Sequence, residues 1–368
     1  MVRLPVPAAA WMARLLGEDL GRPVLALVPG EMDVRSFLEG AELAADGDEG
    51  EPPVAAFPAP SLTPYQEAEA SLSVRAQEAV ALDRITRGRA SLLVTTPRAL
   101  FRKLPTAAAF RRTVRVLGPD EEHPMETLAA HLLRYGYRHT DLVSEVGDFA
   151  VRGGIFDVFP PGVDDPIRLD FFGDTVDSIR RFDRVSQRSE ERLDEARLLP
   201  VSLFPAGPEE AVALADRLAE EGRGRLSVDG QRQVEELRER GRFPGWENWL
   251  AALHDDDVTL LDLLSDALVM AVDPPALAQE MEHHAQALVS DWTSRRQHKK
   301  PALDPEELEH GEERVTEILD AARFRVRDLV LGKELHEARR TFLKAQVENL
   351  TKLNAKGLVT DWWFRKTG

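Results

Sequence analysis

At 368 residues, the chain is long enough for two or three domains and a sizeable buried core. Its 43% hydrophobic and 30% charged residues are typical of an ordinary globular protein, and no run of about 18 apolar residues predicts a transmembrane helix. The absence of cysteine excludes disulfides and thiolate metal sites and gives no reason to expect secretion, so we expect a cytoplasmic protein.

The net charge bears on the class of partner. It is −17, from 47 basic and 64 acidic residues, with a sequence pI of about 5.1. A protein that binds DNA over a broad surface usually has a basic balance, because neutralising phosphates supplies most of its affinity. The composition therefore favours a protein partner over nucleic acid. We also expect neither a membrane nor a small-molecule substrate as a partner.

Residues 1–117 alternate between strand-like and helix-like segments. Pro23–Val28 and Ser91–Thr95 are typical of buried strands, and a helical pattern follows each of them, from Asp33 and from Pro97. This alternation predicts an α/β fold with a parallel sheet covered by helices.

A parallel sheet that begins with a strand, a loop and a helix is a candidate nucleotide-binding fold. The phosphate-binding loop has the pattern GxxxxGK followed by serine or threonine. The turn after the first strand, Pro29–Ser36, has no lysine, and its two acids would repel phosphate. Gly332-Lys333 is the one Gly-Lys pair in the sequence, and it is followed by Glu334 instead of a hydroxyl residue. We therefore predict no nucleotide hydrolysis, no cofactor and no catalytic residue.

Asp120-Glu121-Glu122-His123 has the sequence form of a helicase magnesium motif. In that motif the first acid ends a buried strand opposite a phosphate-binding loop. Here Val114–Leu117 favours a strand, but Gly118-Pro119 intervene and the loop is missing. We expect these acids at a helix N-terminus, where negative charge is favourable, and predict no metal site.

The segment 118–205 contains the densest β pattern of the chain. After a predicted helix over Met125–Tyr135, the stretch Gly147–Asp183 predicts a small antiparallel sheet. In Ile167–Phe172, alternation puts Ile167, Leu169 and Phe171 on one face and the other three residues, including Arg168 and Phe172, on the opposite face.

The outward Arg168 and Phe172 have two explanations. Arginine and aromatic residues anchor many protein interfaces. Alternatively, Phe172 covers a second core layer and Arg168 pairs with a local aspartate. Periodicity alone does not choose between them.

The rest of the chain predicts further helices. Residues 206–292 are mostly helical in pattern, with a strand predicted over Ala267–Val272. Residues 293–368 begin with the basic segment Arg295–Lys300, for which a solvated linker is favoured over a contact with phosphate. A charged helix is predicted to start at Pro305-Glu306-Glu307, and a further helix is predicted over Glu334–Leu353. The return of this region to the first domain is left open.

Three sequence segments carry a family resemblance. RGGIFDVFP, IRLDFFGDTVDSIRRFD and SQRS resemble domain 2 of the family formed by the excision-repair subunit UvrB and the bacterial transcription-repair coupling factors (Mfd). The resemblance implies a UvrA-docking domain whose contact residues fall on Arg152, Arg168 and Phe172. It also implies a degenerate helicase-like domain 1a at 1–117, domain 2 at 118–205, domain 1b at 206–292, and a basic linker with C-terminal helices at 293–368.

The resemblance implies a non-catalytic adaptor of transcription-coupled nucleotide excision repair that recruits UvrA to stalled transcription complexes. UvrB keeps the phosphate-binding loop that coupling factors have lost in this region, so its absence favours the coupling factors. RNA polymerase binding and ATP-driven DNA translocation are expected from domains outside this chain. The alternatives are a UvrB-like excinuclease or ATPase subunit, a direct damaged-DNA-binding module, and a scaffold that has lost its partner.

Overall fold

The computed structural model describes residues 2–43, 54–59, 62–68, 71–264, 266–322 and 324–327. The described strands are β1 (Val2–Arg3), β2 (Val24–Leu27), β3 (Val54–Ala56), β4 (Leu92–Thr95), β5 (Arg115–Leu117), β6 (Arg138–His139), β7 (Asp148–Arg152), β8 (Ile155–Val158), β9 (Ile167–Phe172), β10 (Thr175–Phe182), β11 (Ser189–Arg192), β12 (Ala196–Leu198), β13 (Leu268–Val272) and β14 (Phe324–Arg327). The described helices are α1 (Val6–Leu20), α2 (Glu31–Leu43), α3 (Leu72–Thr86), α4 (Pro97–Leu100), α5 (Ala107–Thr113), α6 (Met125–Arg134), α7 (Pro208–Glu221), α8 (Val228–Arg240), α9 (Leu260–Leu263), α10 (Pro274–Gln297), α11 (Pro305–Leu308) and α12 (Glu312–Asp320), with a 3₁₀-helix at Trp246–Leu253.

Six strands form a central parallel sheet in the order β1-β14-β13-β2-β4-β3. Its strands β2, β4 and β13 are buried along their whole length, as expected for a parallel sheet covered on both faces. Side chains of β2 alternate between two cores: Val24 and Ala26 pack with α1 and α2, and Leu25 and Leu27 face the larger core. The predicted α/β class with a parallel sheet is confirmed.

The larger core is braced by the tryptophan-rich 3₁₀-helix. Trp249 is fully buried, and its indole Nε1–H donates to the Pro64 carbonyl at 2.6 Å. The Arg295 guanidinium lies over the same indole, 5.1 Å from its centre, and its Nε–H donates to the Pro301 carbonyl at 2.8 Å. One aromatic side chain thus connects segments far apart in the sequence.

A second six-stranded sheet has the order β11-β10-β9-β8-β7-β6 and is antiparallel except for the β6–β7 pair. Its inner face packs on Leu128 and Leu132 of α6 and on the two-stranded β5–β12 sheet. The alternation in β9 is as predicted, because Ile167, Leu169 and Phe171 belong to this core. The predicted small antiparallel sheet and its lead helix are therefore present.

The central sheet draws strands from three of the four predicted segments. Strand β13, from the predicted 206–292 segment, pairs with β2, and β14, from the 293–368 segment, pairs with β1 and β13. The division at residues 117, 205 and 292 stays a prediction about domains; the sheet itself is continuous across it.

The basic segment Arg295–Lys300 is not simply a linker, because α10 extends to Gln297 and Arg295 is only 6% exposed. The predicted helix over Glu334–Leu353 lies outside the described residues. Within the described part of the chain, no helix has the length and apolarity needed to cross a membrane.

Candidate partner-binding surface

The second sheet presents a face turned away from α6, which we call the outer face. Strand register puts one row of side chains across β7, β8, β9 and β10, and a second row beside it. The outer face includes Arg152, Ile155, Asp170 and Ser178 in the first row, Ala150, Asp157, Arg168 and Arg180 in the second, and Phe172 at the end of β9. Two of the three predicted contact residues, Arg152 and Arg168, thus lie in neighbouring rows.

Phe172 is the most exposed apolar side chain of the outer face. Its side chain is 85% exposed, whereas Phe171 beside it is buried in the core. Gly173 follows with a φ of 64°, a left-handed conformation suited to glycine, and the chain turns back into β10. The alternative in which Phe172 covers a second core layer is wrong.

Ile155 extends the apolar end of the outer face, and the sequence analysis missed it. It is 37% exposed and lies directly opposite Asp170, which makes it a diagonal cross-strand neighbour of Phe172. Assigning Phe156 to the core would have predicted that Ile155 points outward, because successive side chains of a strand point to opposite faces. The two side chains form an apolar patch beside the turn at 173–174.

Arg168 is held in place by a buried carboxylate. Its Nε–H and Nη2–H groups donate to the two oxygens of Asp157 at 2.7 and 2.9 Å, and Asp157 is 1% exposed. The guanidinium also lies over the Phe182 ring, 4.7 Å from its centre. The hydrogen bonds to Asp157 raise the pKa of Arg168. The alternative pairing with a local aspartate is therefore correct for this residue, and its side chain is only 18% exposed.

Arg152 shares the same carboxylate but remains accessible. Its Nη2 lies 3.8 Å from Asp157 Oδ2, and its side chain is 52% exposed. Arg180, opposite Arg168 on β10, is exposed and has no ion pair among the described residues. Asp157 thus pairs with Arg168 and Arg152, and the outer face as a whole has three arginines against two carboxylates, Asp157 and Asp170, so it is weakly cationic beside the apolar patch of Phe172 and Ile155.

The turn after β2 does not have the chemistry of a phosphate-binding loop. Asp33, in the first turn of α2, accepts a hydrogen bond from the Gly30 N–H at 3.1 Å. Glu31 is in the same turn. Carboxylates thus occupy the helix N-terminus where a nucleotide phosphate would need free N–H groups and positive charge.

The Asp120–His123 segment lies along the second sheet rather than on a strand of the central one. The Asp120 N–H donates to the Val176 carbonyl at 2.8 Å, and Glu122 forms a bridge with Thr175. Helix α6 begins only at Met125, so the expected position of the acids at its N-terminus is wrong: they pair with the start of β10. This is not the geometry of a magnesium motif in a helicase.

Comparison with known proteins gives consistent results. Residues 116–204 match the family model of the UvrB interaction domain. The chain is 34% identical over 237 residues to the transcription-repair-coupling factor of Myxococcus xanthus (61% of this chain, 19% of that protein) and 28% identical over 243 residues to that of Bacillus subtilis (62% and 21%). It is also 32% identical over 168 residues to UvrABC system protein B of Thermotoga neapolitana (40% and 25%). The chain therefore spans about a fifth of the length of the coupling factors that it matches.

Proposed function

We propose, from the match of residues 116–204 to the UvrB interaction domain and the similarity to transcription-repair-coupling factors, that this chain is an adaptor that recruits UvrA. The observation that carries the proposal is the 85% exposed Phe172 at the edge of a cationic sheet face. An exposed aromatic ring beside arginines is typical of residues that dominate binding energy at interfaces.

Each residue of the outer face has a distinct role in the proposed contact. Phe172, with Ile155 beside it, enters an apolar recess of UvrA. Arg152 is exposed enough to form a charge-assisted hydrogen bond with an acidic group of the partner. Arg168 acts mainly by its position, because two of its five N–H donors are already used on Asp157 and it fixes the geometry around that carboxylate.

We further propose that the chain performs this task in the cytoplasm without hydrolysing ATP. The carboxylates at the start of α2 support the absence of ATP hydrolysis, because they occupy the helix N-terminus where positive charge would be needed to bind a triphosphate. Delivery of UvrA to a stalled RNA polymerase, and movement on DNA, are assigned to the remainder of a coupling factor and not to these residues.

A binding titration against purified UvrA tests the proposal. The wild-type chain is expected to bind saturably, and Arg152→Ala is expected to weaken binding about tenfold, because a hydrogen bond to a charged group contributes about 1.5 kcal/mol or more. The matched control is Arg232→Ala, which removes another exposed arginine with one carboxylate partner, Asp229. No saturable binding by the folded wild type, or equal loss in the control, would refute the assignment.

A further inference from the structure

A second cationic feature lies outside the second sheet, around an open cavity of about 400 Å³. Its walls come from the turn after α7 and from the end of α10 with the residues that follow. The lining residues are Glu221, Gly222, Gly224, Arg225, Leu226, Arg296, Lys299, Lys300 and Ala302. Four of these are basic, in a chain whose net charge is −17.

Hydrogen bonds between the two turns make the cavity a preformed one. The Lys299 carbonyl accepts hydrogen bonds from the Ser227 N–H at 2.9 Å and from the Ser227 hydroxyl at 3.2 Å. Gly230 permits this close approach, because a Cβ there would lie 2.6 Å from the Lys299 oxygen. Lys299 itself has a φ of 53°, an uncommon left-handed conformation for a lysine. Two basic segments that are remote in sequence are thereby held side by side.

The cations of this cavity are only partly neutralised. Lys300 Nζ donates to Glu67 at 2.8 Å, and Arg296 lies 3.8 Å from Asp304. Arg225 and Lys299 are exposed and have no ion pair within the described ranges. Glu221 is the one carboxylate in the lining.

Glu221 also belongs to an acidic trio with Asp304 and Glu307, whose ligand oxygens lie within 4.8 Å of one another. Glu307 in turn forms an ion pair with Arg217. An acidic cluster of this kind does not by itself define a metal site. The two unpaired cations therefore remain the distinctive chemistry of the cavity.

We propose that this cavity binds a compact polyphosphate group. Its volume lies in the range of small-molecule sites, and an arginine fork with lysine point charges is well matched to phosphate oxygens. The lining has no aromatic side chain on which a base could stack, as sites for single-stranded nucleic acid usually have. This site does not depend on UvrA binding and goes beyond it.

Calorimetric titration of the whole chain with sodium tripolyphosphate, at an ionic strength held constant with chloride, tests the proposal. The wild type is expected to bind one tripolyphosphate saturably. Arg225→Ala and Lys299→Asn are each expected to weaken binding at least tenfold; asparagine is chosen because it tolerates the left-handed backbone. The matched control is Arg112→Ala, which removes an exposed arginine of α5 that has no ion pair among the described residues, and it is expected to leave tripolyphosphate binding unchanged.

A second arm uses inorganic phosphate and a short oligodeoxythymidine as probes. Weaker binding of inorganic phosphate, lost in the same variants, supports the site. The proposal is overturned if the folded wild type does not bind tripolyphosphate, or if all variants bind it equally. Preference for the oligonucleotide, lost with Arg225→Ala, also overturns it, because it would make the cavity part of a nucleic-acid groove.

Discussion

Replacing Phe172 by alanine isolates the contribution of the apolar end of the outer face to UvrA binding. The side chain is 85% exposed in the chain alone, so the substitution is expected to change the free energy of unfolding by less than about 0.5 kcal/mol. A partner that covers the ring would bury about 120 Å² that alanine lacks. At about 25 cal/mol per Å² this gives about 3 kcal/mol, or a loss of affinity of roughly 150-fold.

The assay is a titration of UvrA against wild type, Phe172→Ala and a matched control, with a denaturation curve for each. Val228→Ala is the control, because Val228 is 86% exposed but lies on α8, outside the second sheet. We expect UvrA to bind the control like wild type and to bind Phe172→Ala more than a hundred times more weakly. Unchanged affinity of Phe172→Ala would refute the reasoning, because an exposed ring that the partner does not cover contributes nothing to binding.

Three further predictions concern stability. Arg168→Ala leaves the buried carboxylate of Asp157 poorly paired and is expected to lower the free energy of unfolding by about 3 kcal/mol. The double variant Arg168→Ala/Asp157→Ala should lose less stability than the two single variants together. Additive losses in chemical denaturation would contradict the pairing. Gly154→Ala places a Cβ 2.7 Å from a backbone oxygen of β9 and is expected to lower the free energy of unfolding by about 1–3 kcal/mol. The loss should exceed that of Gly153→Asn, because Gly153 has a left-handed backbone with open space around it. Equal losses in the two variants would argue against the close approach at Gly154. Burial lowers the pKa of His131. As pH decreases from about 7 to 5, the histidine is therefore protonated in the unfolded chain before it is protonated in the folded one, and stability should fall. His131→Gln should flatten this pH dependence of the melting temperature, and an unchanged slope would exclude His131 as the cause of the dependence.

The periodicity of the sequence was sufficient to predict which way the side chains of β9 point. Alternation depends only on neighbours along one strand, so Phe172 could be assigned to the outer face before any strand was paired. The pairing of Arg168 with Asp157 could not be assigned in the same way. It depends on the register between β8 and β9, which the turns and the core determine together.

The order of strands in the central sheet could not be predicted from the sequence either. Its middle strands β2 and β13 were both identified as strands, but nothing in either segment indicates that they are neighbours. Because buried parallel strands are uniformly apolar, the local sequence pattern does not distinguish which strand lies beside which. The cavity between the turns at 222–226 and 298–300 was missed for the same reason, because its two basic walls are joined only by the tertiary fold.

The order of strands in the two sheets has a consequence for how the chain folds as it emerges from the ribosome. The second sheet is built from one continuous stretch, residues 138–192, and can assemble as soon as that stretch is released. The central sheet cannot be completed at that stage, because β2 must wait for β13, and β1 must wait for β14 at residues 324–327. The surface proposed to capture UvrA is therefore expected to form during synthesis, while β2 still lacks β13 and β1 still lacks β14.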